Sequence, residues 1–265
     1  MRLSLLYFGD IVGEPGREAV AAALPGLREE FDPDLVLANI ENATHGRGVQ
    51  KKHYDELRSA GIDAFSSGDH VWKFKEFLPE LDRPDLLLVR PANYPQAPGK
   101  RYLDLNVKGK RVRLINLLGR TFMGCNVDSP FATFDRIVKE APIPDLVLVD
   151  FHAEATSEKR ALAEYVGDRA QLVVGTHTHV PTADAQILAN GCAFISDLGM
   201  CGPKDSSLGA EKSEAIRGFL TGLPWHYNLA EGECELGAVY AEIDFATKTA
   251  QRIEHLRRFS YSNDK

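Results

Sequence analysis

Short continuous apolar runs alternate with longer amphipathic stretches through the first half of this chain. Residues 3–8 form an apolar run that ends at Gly9-Asp10, and residues 17–30 then carry apolar side chains at helical spacing. A continuous run is typical of a strand buried on both faces, whereas the longer repeat is typical of a surface helix. The pattern predicts a strand, a polar turn and a helix, repeated in that order.

The same criteria predict further elements along the chain. The predicted strands are 34–40, 63–66, 86–89, 145–150 and 171–174, and the predicted helices are 50–60, 73–81, 131–140, 157–166 and 211–221. Three predicted hairpins pair 102–107 with 111–118, 185–188 with 193–196, and 234–244 with 251–258. Residues 199–208 are predicted to form a polar loop. Because no linker or repeat divides the sequence, we expect a single domain over 1–265, of α/β class with a mixed sheet or two stacked sheets.

The composition, with 44% hydrophobic and 26% charged residues, is typical of a globular protein. The formal net charge of -7 argues against general nucleic-acid binding, which needs a basic face. A small anionic substrate remains compatible, because bound cations can reverse the local charge. No apolar run approaches the ~20 residues that span a bilayer. The four cysteines form no C-x-x-C pair and are interpreted as reduced thiols, so we expect a cytoplasmic protein without membrane contact.

Residues that can ligate metal follow five of the predicted strands. His177 and His179 are two residues apart after the strand 171–174, so their side chains point to the same side. An isolated pair of this kind is more often part of a polar surface turn. The other four strand ends carry Asp10, Glu41, Asp69 and His152. Functional groups gather beyond the carboxyl ends of strands in open α/β sheets, and these six side chains suit two manganese, iron or zinc ions that share a carboxylate.

Several sequence blocks resemble those of the calcineurin-like metallophosphoesterases. These blocks are Gly9-Asp10, Glu41-Asn42, Gly68-Asp69-His70, His152 and Gly175-Thr176-His177-Thr178-His179. Within that superfamily, the blocks 9–13 with Gly16-Arg17, 150–159 and 175–184 closely resemble the YmdB-type bacterial phosphodiesterases. The resemblance extends from residue 3 to about residue 240, and its block 150–159 is highly specific.

The resemblance implies a four-layer αββα sandwich of two mixed sheets and a dinuclear centre that hydrolyses phosphodiesters, with 2',3'-cyclic nucleotides as substrates. The implied ligands fall into two sets that share Glu41: Asp10, Glu41, Asn42 and His179 for one ion, and Glu41, Asp69, His152 and His177 for the other. His70 would protonate the leaving alkoxide. Iron or manganese would be the metal, with zinc as a third candidate, and the partner would be a small phosphodiester or nucleotide.

Two residues depart from the usual pattern of the superfamily. Val12 stands where many members have a histidine, a feature shared with the YmdB-type group, in which Asn42 compensates. Asp69 stands where the family usually has asparagine before the catalytic histidine. An aspartate adds one negative charge to the site. Our hypothesis is that Asp69 weakens the attraction for an anionic substrate or favours a trivalent ion such as Fe(III).

Two other functions remain open at the level of the sequence. A phosphomonoesterase such as a nucleotidase would use the same ligands, and a regulatory protein would bind a nucleotide at the metal site with little turnover. Lys159 is predicted to lie on a solvated helix face, His53 on the surface, and Asp197 in a structural loop role. The oligomeric state stays open, with a homo-oligomer among the outcomes.

Overall fold

The computed structural model describes residues 1–260, in which twelve β-strands and five α-helices are present. The strands are β1 (Arg2–Ile11), β2 (Leu35–Asn39), β3 (Ala64–Ser66), β4 (Tyr102–Val107), β5 (Lys110–Leu118), β6 (Leu146–His152), β7 (Leu172–Thr176), β8 (Gln186–Ile187), β9 (Ala193–Ile195), β10 (Met200–Pro203), β11 (Cys234–Asp244) and β12 (Thr249–Ser260). The helices are α1 (Gly13–Phe31), α2 (Lys51–Ser59), α3 (Pro130–Ile137), α4 (Thr156–Val166) and α5 (Lys212–Thr221).

The strands form two mixed sheets of six strands each. The first sheet has the order β12-β11-β10-β1-β2-β3, in which β2 and β10 run parallel to β1 and β11 runs antiparallel to it. The second sheet has the order β4-β5-β6-β7-β9-β8, in which four parallel strands lie between two antiparallel edge strands. The parallel strands of each sheet therefore present their carboxyl ends at one edge, where ligands bind in sheets of this kind.

Successive side chains of β1 point alternately to the two faces of the first sheet, and both faces are buried. Leu5 and Tyr7 belong to the core between the two sheets, which also contains Val112 of β5. Phe8 faces the opposite way and packs in the cluster that includes helix α1. A third cluster covers the outer face of the second sheet with α3 and α4. The layers are helix, sheet, sheet and helix, so the predicted αββα sandwich is confirmed.

The predicted polar loop 199–208 is wrong at its start, because Met200–Pro203 forms strand β10 within the first sheet. Met200 pairs with Asp10, and Cys201 pairs with Leu236 of β11. Glycine and proline in this segment conceal the strand pattern, since both residues are depleted from strands. Gly202 is closely packed, because a Cβ atom there would lie 3.1 Å from Cβ of Val12.

Three predicted elements also differ in form, whereas all three predicted hairpins are confirmed. Residues 86–89 make only isolated bridges at Leu88 and Val89. The predicted helix 73–81 is a 3₁₀ helix, Lys75–Glu80, that contains Pro79, and proline disfavours a continuous α-helix. The predicted helix 157–166 begins one residue earlier, at Thr156, and has no side-chain cap. No helix in residues 1–260 combines the length and apolar character required to cross a membrane.

Candidate metal centre

The candidate ligands come from the carboxyl ends of strands in both sheets. Asp10 lies in β1, and Glu41 and Asp69 follow β2 and β3 of the first sheet. His152 is the last residue of β6, and His177 directly follows β7 of the second sheet. The parallel direction of these strands brings residues that are far apart in sequence to one end of the sandwich. Any ion bound there would join the two sheets.

Four of the predicted ligands form one cluster. Glu41, Asp69, His152 and His177 each offer a ligand atom, and these atoms all lie within 4.8 Å of one another. His152 Nε2 is 3.3 Å from Glu41 Oε2 and 3.4 Å from Asp69 Oδ1. His177 Nδ1 lies 3.1 Å from the same nitrogen. Carboxylate oxygens and imidazole nitrogens in this arrangement have the donor types that manganese, iron and zinc accept.

The other three predicted ligands lie beside this cluster rather than within it. Asp10 Oδ1 is 3.7 Å from His152 Nδ1, and Asp10 Oδ2 accepts the His177 N–H at 3.0 Å. Asn42 Nδ2 lies 3.0 Å from His179 Nε2. His179 Nδ1 donates at 3.1 Å to the carbonyl of Leu208, which leaves Nε2 as the nitrogen available to a metal.

Two carboxylate oxygens in this region are left without hydrogen-bond partners. Asp10 Oδ1 and Asp69 Oδ1 are both buried and accept no hydrogen bond from any residue of the described chain, 1–260. A buried polar atom without a partner destabilises the fold by about 1–3 kcal/mol, and more when it carries charge. Cations would satisfy both oxygens, so the residues present fit a metal centre.

Proximity of opposite charges changes the titration of the cluster. Burial opposes ionisation of Glu41, but the neighbouring His152 outweighs it and holds the pKa of Glu41 well below its usual value. Burial likewise opposes the charged form of His152, yet Glu41 and Asp69 raise its pKa well above the ordinary range. The protonated His152 therefore supplies positive charge beside Glu41 and Asp69. A bound metal ion would supply that charge in its place. Burial lowers the pKa of His177 to about 4, so the ring is neutral near neutral pH and one of its two nitrogens has a free lone pair for a metal.

For Asp10, burial outweighs the effect of the neighbouring His152 and His179 and raises the pKa to about 6. Burial also disfavours the charged form of Asp69, but the nearby His152, whose Nε2 is 3.4 Å from Oδ1, lowers the pKa of Asp69 below the usual value. A bound cation would favour the ionised form of both carboxyl groups, because it supplies the missing positive charge.

His70 lies at the border between the cluster and solvent. Its Nδ1 is 3.2 Å from Glu41 Oε1 and 3.0 Å from Asn42 Oδ1, so this nitrogen carries a proton and donates it. Burial opposes the charged form of the ring, but the hydrogen bond with Glu41 raises the pKa of His70 above its usual value. The side chain is 31% exposed, so part of the ring faces solvent, and its Nε2 lies 3.8 Å from Asp69 Oδ2.

Close packing at the cluster explains the glycine in the Gly68-Asp69-His70 block. A Cβ atom at Gly68 would lie 2.0 Å from Glu41 Oε2 and 2.5 Å from His152 Nε2. Real side chains do not tolerate such approaches, so residue 68 must lack a side chain for these two ligand atoms to come together.

Two side chains that were predicted to be exposed are buried. Lys159 is fully buried, and its Nζ donates to Asp197 Oδ2 at 2.7 Å. The same carboxylate accepts the N–H groups of Thr178 and Gly199, at 3.1 and 2.9 Å. Asp197, paired with Lys159, thus stabilises the loop that contains His177 and His179 by accepting the N–H of Thr178. His53 is also buried, with Nδ1 2.6 Å from Thr44 Oγ1.

Two facing mixed sheets with carboxylates and imidazoles gathered at their strand ends define a metallophosphoesterase. Residues 6–256 match the family model described as YmdB-like protein, and the chain belongs to that family. The 2',3'-cyclic-nucleotide 2'-phosphodiesterase of Bacillus subtilis is 44% identical over 257 residues, which cover 96% of either protein.

Solved structures with the same fold cover nearly the whole chain. A crystal structure of a novel phosphatase from Mycoplasma pneumoniae is 34% identical with a TM-score of 0.93, and the match covers 98% of this chain and 95% of that one. A hypothetical protein from Thermus thermophilus is 41% identical with a TM-score of 0.89, and the match covers 98% of this chain and 99% of that one.

Proposed function

We propose that this chain is a dinuclear metal-dependent phosphodiesterase that hydrolyses small phosphodiesters, with 2',3'-cyclic nucleotides as its substrate class. The convergence of Glu41, Asp69, His152 and His177 within 4.8 Å carries the proposal, because it gathers metal ligands from both sheets at one point. The 2',3'-cyclic-nucleotide 2'-phosphodiesterase of Bacillus subtilis, 44% identical over a match that covers 96% of this chain, supports the substrate class.

In this proposal, the ligands divide into two sets that share Glu41. The first set is Asp10, Glu41, Asn42 and His179, and the second is Glu41, Asp69, His152 and His177. Two bound cations would lower the pKa of a water molecule and neutralise the phosphoryl oxygens of a substrate. The buried carboxylate oxygens of Asp10 and Asp69 that lack partners support this division, because each belongs to a different set.

His70 is proposed to protonate the leaving oxygen. The alkoxide that leaves a phosphodiester needs a proton, and an imidazole can supply one near neutral pH. Glu41 and Asn42 occupy its Nδ1 and fix the ring, so Nε2 is the atom that would transfer the proton. The partial exposure of the side chain supports this role, since a substrate has to reach it.

Iron or manganese is proposed as the native metal, with zinc as a third candidate. Three carboxylates, Asp10, Glu41 and Asp69, contribute three negative charges against four positive charges from two divalent ions. The centre then has a net charge of about +1 before any bound hydroxide. If one of the two ions were Fe(III), the centre with Asp69 would have the same net charge as a centre with an asparagine at residue 69 and two divalent ions.

We further propose one domain over residues 1–265, a cytoplasmic location, small-molecule substrates and no general nucleic-acid binding. All four cysteines are free thiols, which is typical of a reducing compartment. The net charge of -7 supports the absence of general affinity for nucleic acid. A homo-oligomer remains one of the states to be examined by light scattering.

A hydrolysis assay with metal-stripped protein, reloaded with Mn²⁺ or Fe²⁺, tests the proposed function. The substrates are bis(p-nitrophenyl) phosphate, p-nitrophenyl phosphate and a 2',3'-cyclic nucleotide, and the variants are His70→Ala and His177→Ala. We expect wild type to cleave both diesters faster than the monoester. On the 2',3'-cyclic nucleotide, His70→Ala should lose about 10²–10⁴-fold in kcat while retaining its metal, because the ribose alkoxide needs the proton donor; the loss should be smaller on the p-nitrophenyl esters, whose leaving group needs no proton.

Each rival function predicts a different result in the same assay. A nucleotidase would cleave the monoester faster than either diester. A regulatory protein would bind metal and the cyclic nucleotide, yet wild type would be no faster than His70→Ala on any substrate. Either result would contradict the phosphodiesterase proposal.

A further inference from the structure

Asp150 is a fully buried carboxylate at the interface between the two sheets, two residues before His152 on β6. Its Oδ1 accepts a hydrogen bond from Thr176 Oγ1 at 2.7 Å. Its Oδ2 accepts from Asn39 Nδ2 at 2.9 Å and from the hydroxyl of Ser66. Asn39 and Ser66 end β2 and β3 of the first sheet, whereas Thr176 ends β7 of the second. One side chain therefore connects three strand ends that precede candidate metal ligands.

The connection through Thr176 determines which nitrogen of His152 is available to a metal. A threonine hydroxyl has a single proton, and Thr176 donates it to Asp150. Thr176 Oγ1 must therefore accept from His152 Nδ1, which lies 2.9 Å away. Nδ1 carries the proton, and Nε2 is the nitrogen directed toward Glu41 and Asp69. Metal-ligating histidines are typically fixed through their second nitrogen in this way.

The connection through Asn39 fixes the backbone of the proposed bridging ligand. Asn39 Nδ2 donates to Asp150 Oδ2 and to the carbonyl of Ser67 at 3.0 Å, with Thr176 Oγ1 as a third acceptor at 3.4 Å, so its orientation is determined by the hydrogen bonds. Its Oδ1 consequently faces the N–H of Glu41 and accepts from it at 3.0 Å. A donor at the Nδ2 position is needed for both contacts.

We propose that Asp150 is a positioning residue for the metal centre, which orients His152 through Thr176 and Glu41 through Asn39 at the same time. This role rests on the proposed dinuclear function, because it assigns a purpose to the centre's supporting contacts. Ligands from two separate sheets must keep their spacing to bind one pair of ions, and a shared carboxylate between the sheets maintains that spacing. Asp150 touches neither substrate nor metal in this proposal.

The Mn²⁺ affinity of metal-stripped protein tests this role without any substrate. Competition with a chromophoric chelator gives dissociation constants for wild type, Asp150→Asn, Thr176→Val and Thr176→Ser. Asp150→Asn should weaken Mn²⁺ binding by about ten- to a hundredfold, the usual effect of removing such a support. Thr176→Val should weaken it as well, whereas Thr176→Ser keeps the hydroxyl and should retain affinity close to that of wild type.

Asp104→Asn is the matched control, because it also removes a carboxylate that pairs with a buried group. Asp104 lies on the edge strand β4 and binds Arg113 at 2.7 and 2.8 Å. This variant should lower thermal stability and leave Mn²⁺ affinity unchanged. If Asp150→Asn does not fold, the comparison of Thr176→Val with Thr176→Ser decides the question.

Three results would contradict the positioning role. The first is that Asp150→Asn and Thr176→Val bind Mn²⁺ within about twofold of wild type. The second is that Thr176→Val and Thr176→Ser have equal affinities. The third is that Asp104→Asn loses as much affinity as Asp150→Asn. A wild-type protein that binds no Mn²⁺ would overturn the proposed function together with this role. Normal binding by wild type and by Asp150→Asn would overturn the positioning role alone.

Discussion

Asp69 adds one negative charge to the candidate metal cluster, where an asparagine would be neutral. Its Oδ1 is buried beside His152 and has no hydrogen-bond partner within residues 1–260. Asp69→Asn should raise the charge of the loaded centre by one unit. We expect a lower KM for an anionic phosphodiester and a smaller share of Fe(III) among the bound ions, as measured by kinetics and metal analysis. Unchanged KM and unchanged iron content would refute the charge hypothesis.

His53 provides a titration that is separate from the metal ligands. Burial, assisted by the charge of Arg17, lowers the pKa of His53 to about 4, whereas an exposed histidine titrates near 6.5. Between these values the unfolded chain takes up a proton that the folded chain does not bind. The stabilising contribution of neutral His53 is therefore complete above the unfolded value and declines as the pH falls toward the folded value.

The variant His53→Gln should lose this pH dependence. Urea unfolding of metal-free protein gives the free energy of unfolding at about pH 7 and about pH 4.5. Wild type should lose on the order of 2 kcal/mol more than His53→Gln over this interval, because only wild type has the titrating imidazole. Parallel losses in the two proteins would show that His53 has an ordinary pKa.

Helix α4 is attached to the segment after β9 by the buried pair of Lys159 and Asp197, and Asp197 also accepts the N–H of Thr178 in the loop after β7. Removal of one partner of a buried ion pair leaves an uncompensated charge and costs about 3–5 kcal/mol. Lys159→Met should therefore lower the free energy of unfolding by that amount, as measured by urea unfolding. The control is Arg160→Met, at the next residue of the same helix, where an exposed pair with Glu164 contributes less than about 1 kcal/mol. Equal effects of the two variants would contradict the buried pair.

The same helix shows what the sequence could and could not predict. Apolar periodicity predicted α4 and the strand before it, because both depend on local patterns. The burial of Lys159 was not predictable in this way, since its partner lies 38 residues away and a lysine on an amphipathic helix is usually exposed. Strand β10 was missed for a similar reason, as its pairing with β1 depends on contacts across the whole first sheet.

The candidate ligands were easier to predict from the sequence than the residues that hold them in place. Acidic residues and histidines directly after apolar strands carry a local signal, and the resemblance assigned them to two ions. The proposed supporting role of Asp150 has no such local signal. It depends on hydrogen bonds from Asn39, Ser66 and Thr176, which are far from Asp150 in the sequence and come together only in the folded chain.

The metal centre should stabilise the molecule as a whole, because its ligands come from both sheets. Metal bound only by the folded state adds about 2.7 kcal/mol at a free concentration a hundredfold above the dissociation constant. For a domain of this size, we expect a chelator to lower Tm by roughly 5–10 °C. His177→Ala removes one ligand and should respond less to the chelator. A wild-type Tm that is independent of metal would contradict a centre that joins the sheets.

The number of metal ions bound per chain is the most informative quantity for a dinuclear centre. Metal-stripped wild type, reloaded with Mn²⁺ and freed of excess ions, should contain two ions per chain by elemental analysis. Glu41→Gln should retain fewer than one, because both proposed ligand sets lose the carboxylate that they share. A wild type that is fully active on a phosphodiester with a single ion, or a Glu41→Gln variant that retains two, would contradict the dinuclear centre.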